Sequence, residues 1–137
     1  MARRKAGVVG KGQTMTPLSV VVWQEDPRVA QSLAESLMHH FHSVNVADSL
    51  EEVRPKLVKD RAEVLVLDME GAHLDLVERM HREFPGVCIV CTHRVADEAK
   101  WAAALDVGAS DYCQSSDTEG ILLAAIRNAS AGHSAAA

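Results

Sequence analysis

Two short runs, "VLVLD" (64–68) and "VCIVCT" (87–92), are apolar at nearly every position, so neither has a polar face to turn to water. Such strands need cover on both sides, which a parallel sheet with helices packed on each face supplies. The rest of the chain is spaced to match. "LSVVVW" (18–23) is a third β-rich apolar run, "SVNVA" (43–47) alternates like a strand at a sheet edge, and "SDYCQ" (110–114) makes a brief fifth.

Helical patterns fill the intervals. "PRVAQSLAESLMHHF" (27–41) sets Val29, Leu33, Leu37 and Phe41 at helical spacing behind Pro27, a residue suited to a first turn. "SLEEVRPKLVKD" (49–60) opens with Ser49 and Glu52 at capping-box spacing, and Pro55 must bend or shorten that helix. "HLDLVERMHREF" (73–84) is amphipathic, "DEAKWAAALDV" (97–107) is closed by Gly108 in a left-handed conformation, and "TEGILLAAIRNA" (118–129) follows Asp117 as its cap. The pattern predicts one α/β domain over 18–130: a doubly wound, five-stranded parallel sheet in the order 2-1-3-4-5 with five helices, a flavodoxin-like architecture. Residues 1–17 read as a flexible basic lead-in, with Met15 a candidate start, and 131–137 as a disordered tail of small residues.

Composition limits the partners. A net charge of -5 offers no broad basic surface, so direct binding of nucleic acid is not expected. No apolar run reaches the length of a membrane span, and the three cysteines, Cys88, Cys91 and Cys113, lack metal or redox spacing. Reduced thiols point to the cytoplasm.

Right-handed crossovers put every strand's carboxyl end on one edge, where ligands bind in folds of this kind. The residues there are "WQED" (23–26), Asp68, Thr92 and "QSS" (114–116). Glu25 and Asp68 come from the two central strands, so their carboxylates are expected to converge. With a backbone carbonyl and waters they would make a Mg²⁺ site. The plainer reading of Asp68 is a cap for the loop into the next helix.

These same stretches, "VVWQEDPRVAQSL" (21–33), "VLVLD", Thr92 and "GASDY" (108–112), resemble the receiver domain of bacterial response regulators over residues 18–130. The resemblance implies that Asp68 is the phosphoacceptor, that Glu25, Asp68 and the backbone carbonyl of Glu70 hold Mg²⁺, and that Thr92 and Tyr112 form the phosphoryl-sensing switch. It also implies a histidine kinase or phosphotransfer protein as donor, and an effector or second copy docking on the face of the fourth helix, last strand and last helix. It implies no enzyme beyond self-phosphorylation. The departures are specific. Gln24 stands where the family has an acid, so Mg²⁺ binding is expected to be weak or lost. Ser115, followed by Ser116, stands where it has lysine and proline. Glu70 adds a negative charge beside the site. The expectation is an atypical receiver with weakened phosphorylation; the alternative is a pseudo-receiver that works without phosphate.

A flavodoxin-like FMN protein shares the architecture, but "WQEDP" offers acids and a proline where a phosphate needs donors. His39, His40 and His42 lack the spacing of a zinc pair and read as a solvated helix end. His93 and Arg94 are candidates to replace the missing cation. Cys91 and Cys113 sit near neighbouring strand ends, with buried inert thiols the expected reading. Trp101 is either an interface anchor or a core residue.

Overall fold

A computed structural model describes residues 16–136, with side chains described between 17 and 129. The chain order is β1 (Thr16–Trp23), α1 (Pro27–Leu37), β2 (Phe41–Val46), α2 (Val53–Asp60), β3 (Val64–Asp68), α3 (Leu74–Glu83), β4 (Cys88–His93), α4 (Glu98–Asp106), β5 (Asp111–Gln114) and α5 (Thr118–Ala136). All four strand pairings are parallel and the sheet runs β2-β1-β3-β4-β5. This is the expected doubly wound fold. The basic lead-in, apart from its last two residues, and the question of Met15 lie outside the described residues.

Alternation along the strands sorts the core into two layers. Val21 and Trp23, Leu65 and Leu67, Ile89 and Cys91, and Tyr112 face one cluster, which includes Val53 and Leu57 of α2, Val77 of α3 and Ala104 of α4. Val20 and Val22, Val64 and Val66, and Cys88 and Val90 face the other, with Leu33 and Leu37 of α1 and Ile121 of α5. Every residue of β3 is buried, as its unbroken apolar pattern requires.

Three local expectations shift. The α1 helix stops at Leu37, and Phe41, whose spacing fits a fourth helical contact, opens β2 instead. Pairing with β1 decides this: Phe41 lies opposite Thr16 and is still buried in the same layer as Leu33 and Leu37. The Ser49–Glu52 capping box does not form. A 3-10 turn covers Leu50–Glu52, Ser49 makes no side-chain cap bond, and Glu52 accepts from the Asp48 N–H at 3.3 Å. The α2 helix then begins at Val53, so Pro55 falls in its first turn, where a missing N–H costs little. Finally, α5 extends past its expected 118–129 span to Ala136, in keeping with the helix propensity of its alanines.

Gly108 closes α4 at φ +115°, and the ring of His81 from α3 packs where a β-carbon would stand. Gly108→Ala is therefore expected to lower stability by about 1–3 kcal/mol from backbone strain alone. A urea melt reading a lower midpoint at unchanged slope checks it.

Candidate functional site

Gln24, Asp68 and Thr92 occupy the same phase of the alternation as Val22, Val66 and Val90, and Ser115 continues the phase of Cys113. All four therefore project from the carboxyl edge on the α1/α5 side. The register reinforces this, since Asp68 lies directly opposite Thr92. With Glu25, Asp26, Val29, Glu70 and Arg94, residues Gln24, Asp68 and Ser115 line an open cleft of about 400 Å³ at that edge. Glu25 and Asp68 both line this cleft.

Asp68 is 5% exposed and held from two sides by backbone donors. The Glu25 N–H donates to Oδ2 and the Glu70 N–H to Oδ1, both at 3.0 Å. The plainer capping reading is partly met as well: Oδ1 fixes the start of the β3–α3 loop, and the Asp68 carbonyl accepts from the Ala72 N–H at 3.1 Å. The carboxylate nonetheless faces the cleft.

Gln24 is 5% exposed, and its Nε2 donates to the Trp23 carbonyl and to Thr92 Oγ1, each at 3.1 Å. The amide that replaces a carboxylate is thereby tied to the hydroxyl singled out as phosphoryl-binding. The Glu25 side chain is exposed and reaches across the β3–α3 loop. A β-carbon at Gly71 would lie 2.7 Å from Glu25 Oε1 and 2.6 Å from Trp23 Cη2, so the loop admits both side chains only because residue 71 has none. Ser115 Oγ is buried without a hydrogen-bond partner among the described residues.

Glu70 and Arg94 bridge the cleft's rim. Arg94 Nε donates to Glu70 Oε1 at 2.7 Å and the Arg94 backbone N–H to Oε2 at 3.1 Å. This link was not foreseen, although the signal was present. Each residue lies two positions beyond Asp68 and Thr92, which are neighbours in register, so opposite charges there meet. The salt link involves neither Glu25 nor Asp68 and does not close the cleft. Of the two proposed substitutes for the missing cation, Arg94 reaches the site. His93 turns away, its Nδ1 accepting from the Val95 N–H at 2.9 Å, and it lines a separate hollow with Tyr112 and Lys100.

Tyr112 belongs to the opposite face, opposite Cys91 in register. Its hydroxyl is buried without a partner among the described residues, and burial, with the charges of Cys91, Asp97, Asp68 and Glu70 added, pushes the phenol up to about 12. Cys91 and Cys113 pack on opposite faces of the sheet, so they form no redox pair. Burial raises the thiols of Cys88 to about 11, Cys91 to about 12 and Cys113 to about 11, which makes them inert near neutrality. His39, His40 and His42 are all exposed. Trp101 is 43% exposed on α4, so it is not a core residue.

The donor chemistry suits a hard cation, since Glu25 and Asp68 both line the cleft and Mg²⁺ commonly uses one or two carboxylates with water. The set is thin. Among the described residues no three His, Cys, Asp or Glu side chains gather closely enough to hold a metal. FMN fits poorly, because the α1 N-terminus that would cradle its phosphate is taken by the Asp26 side chain, which accepts from the Arg28 N–H at 2.9 Å, with Pro27 beside it.

The 2-1-3-4-5 sheet has the fold seen in solved response regulator receiver domains. No protein-family model matches the sequence, and no curated protein does. The chain is similar in structure to NtrX from Brucella abortus, crystallised with ADP, at a TM-score of 0.78 and 15% identity over 86% of this chain and 27% of that one. It therefore spans only a little over a quarter of that protein. It is also similar to a response regulator from Thermotoga maritima (TM-score 0.74, 21% identity, 84% and 99% of the two chains). A CheY-like receiver domain protein from Methanospirillum hungatei gives 0.76, 15%, 87% and 98%. At such identities the likeness is one of fold. Among the described residues no helix is long and apolar enough to cross a membrane.

Proposed function

We propose that this domain is an atypical receiver in two-component phosphorelay signalling, with Asp68 accepting a phosphoryl group from a phosphohistidine of a histidine kinase or phosphotransfer protein. The observation that carries the reading is Asp68 itself. It is a buried carboxylate at the end of the central strand, aimed into an open cleft and opposite Thr92 in register. Two backbone N–H groups orient it, so attack on phosphorus needs little reorganisation. Glu25, Asp68 and the Glu70 carbonyl would hold Mg²⁺, which when bound neutralises charge on the phosphoryl oxygens. With Gln24 in place of an acid, that hold is weak. The output is an effector or a second copy docking on the α4–β5–α5 face, with Trp101, exposed on α4, a candidate anchor. Three unpaired cysteines suit a reducing cytoplasm.

A second reading has its own support. The Gln24 amide already occupies Thr92 Oγ1, which favours a pseudo-receiver that holds one state without phosphate. Incubation with acetyl phosphate and Mg²⁺, followed by intact-mass measurement, separates the two. The wild type is expected to gain about 80 Da, carrying ~1.5–2 negative charges, and Asp68→Asn none. A wild type that gains nothing leaves the pseudo-receiver.

A further inference from the structure

The geometry points to Arg94 as the cation that serves a phosphoryl group on Asp68, held in reserve at the rim by Glu70. This rests on Asp68 being the acceptor. The cleft is lined by four carboxylates, Glu25, Asp26, Asp68 and Glu70, and among its described lining residues Arg94 is the one cation. Ser115, at the end of the last strand, can offer a hydroxyl but no charge. Positive charge therefore has to enter from the β4–α4 side.

The tether is built to release. Arg94 is bound through Nε and its backbone N–H, so the terminal guanidinium nitrogens take no part in holding the pair. The Arg94 side chain is 80% exposed against 20% for Glu70, so the guanidinium end of the pair stands open to solvent and is free to exchange partners. Glu70 touches Asp68 with its backbone N–H and Arg94 with its side chain, so the guanidinium is kept a single residue from the acceptor. A phosphoryl group brings ~1.5–2 negative charges against Glu70's one and presents the oxygens that guanidinium groups bind best. In the transfer, an Asp68 carboxylate oxygen bonds to the phosphorus of the donor acetyl phosphate as its P–O bond to acetate breaks. Acetate leaves with the electron pair. Arg94 donates N–H hydrogen bonds to the non-bridging oxygens and transfers no proton.

Single-turnover labelling with acetyl phosphate and Mg²⁺, followed by intact mass, tests this as a double-mutant cycle. Arg94→Gln is expected to slow labelling by about 10²-fold, the scale on which losing one donor to the developing charge slows such a reaction. Glu70→Gln, which frees Arg94, is expected to label several-fold faster than wild type. The Arg94→Gln/Glu70→Gln double variant is expected to stay as slow as Arg94→Gln, and adding Ser115→Lys to Arg94→Gln to restore the rate. Arg94→Gln labelling at the wild-type rate overturns the inference and leaves Asp68 as acceptor. So does a double variant that recovers fully, since Arg94 would then merely neutralise Glu70. If neither wild type nor Ser115→Lys takes up phosphate, the acceptor reading fails and the inference with it. Both pair members lie at the surface rim, and far-UV circular dichroism should show every variant folded.

Discussion

Gln24→Glu is expected to make the stability of this domain depend on Mg²⁺. The wild-type amide donates to both the Trp23 carbonyl and Thr92 Oγ1 from a position only 5% exposed. Glutamate is nearly isosteric but has no N–H to give. The Trp23 carbonyl loses a donor and gains a repulsive neighbour, and another carboxylate enters the cleft beside Asp68, where like charges oppose one another. Leaving buried groups unsatisfied in this way costs about 2–4 kcal/mol, so the metal-free variant should melt roughly 10 °C below wild type. The same change supplies a further carboxylate next to Glu25 and Asp68 for a cation to bind. Mg²⁺ binds the folded state alone, and at 100 times its dissociation constant returns about 2.7 kcal/mol. Thermal melts with and without Mg²⁺ check this. The variant should show a large Mg²⁺-dependent rise and the wild type a small one. Equal shifts in the two proteins would mean that residue 24 does not address the cation.

The parts of this protein that the sequence exposes are those fixed by repeating geometry. A period of two along β1, β3 and β4 determines which residues face each layer, and unbroken apolar runs require helices on both sides. From these follow the two buried layers and, with right-handed crossovers, the site's edge; the strand order is that of the doubly wound architecture the pattern resembles. What escapes is what depends on competition between neighbours. Phe41 satisfies a helical spacing and a strand position equally well, and pairing with β1 breaks the tie. Ser49 has the right partner in sequence for a capping box, yet Pro55 prevents a regular helix from starting there, and the turn tightens instead.

The site follows the same division. Strand phase places Gln24, Asp68, Thr92 and Ser115 together, but it says nothing of which side chains bond. The Gln24–Thr92 bond replaces the repulsion that an acid at 24 would have met. The Glu70–Arg94 link requires knowing that the residues after β3 and β4 stay in step past the strand ends. The Met69 N–H donating to the Thr92 carbonyl at 2.8 Å keeps them so.

Phe41→Ala should produce the largest loss of stability that leaves the site alone. Phe41 is 1% exposed and packs in the layer that contains Leu18, Leu33 and Leu37, so truncation opens a cavity that the rigid strands around it cannot close. Phenylalanine-to-alanine changes in such settings cost about 3–5 kcal/mol. Against a usual total of about 5–15 kcal/mol, that brings a domain of this size near its unfolding midpoint at growth temperatures. Phe41 stands at the start of β2, opposite Thr16, whereas Asp68 and its neighbours follow the far ends of the strands. Chemical denaturation should therefore give a much lower midpoint at unchanged slope, while the labelling rate per folded molecule stays that of the wild type. Met38→Ala, three residues earlier but 54% exposed, is the matched control and should move the midpoint little. If Phe41→Ala proves as mild as Met38→Ala, residue 41 is not in the core, and the pairing of β2 with β1 on which its burial depends is wrong. If it instead slows labelling of the folded protein, the two ends of the sheet are coupled more tightly than their packing into separate local contacts implies.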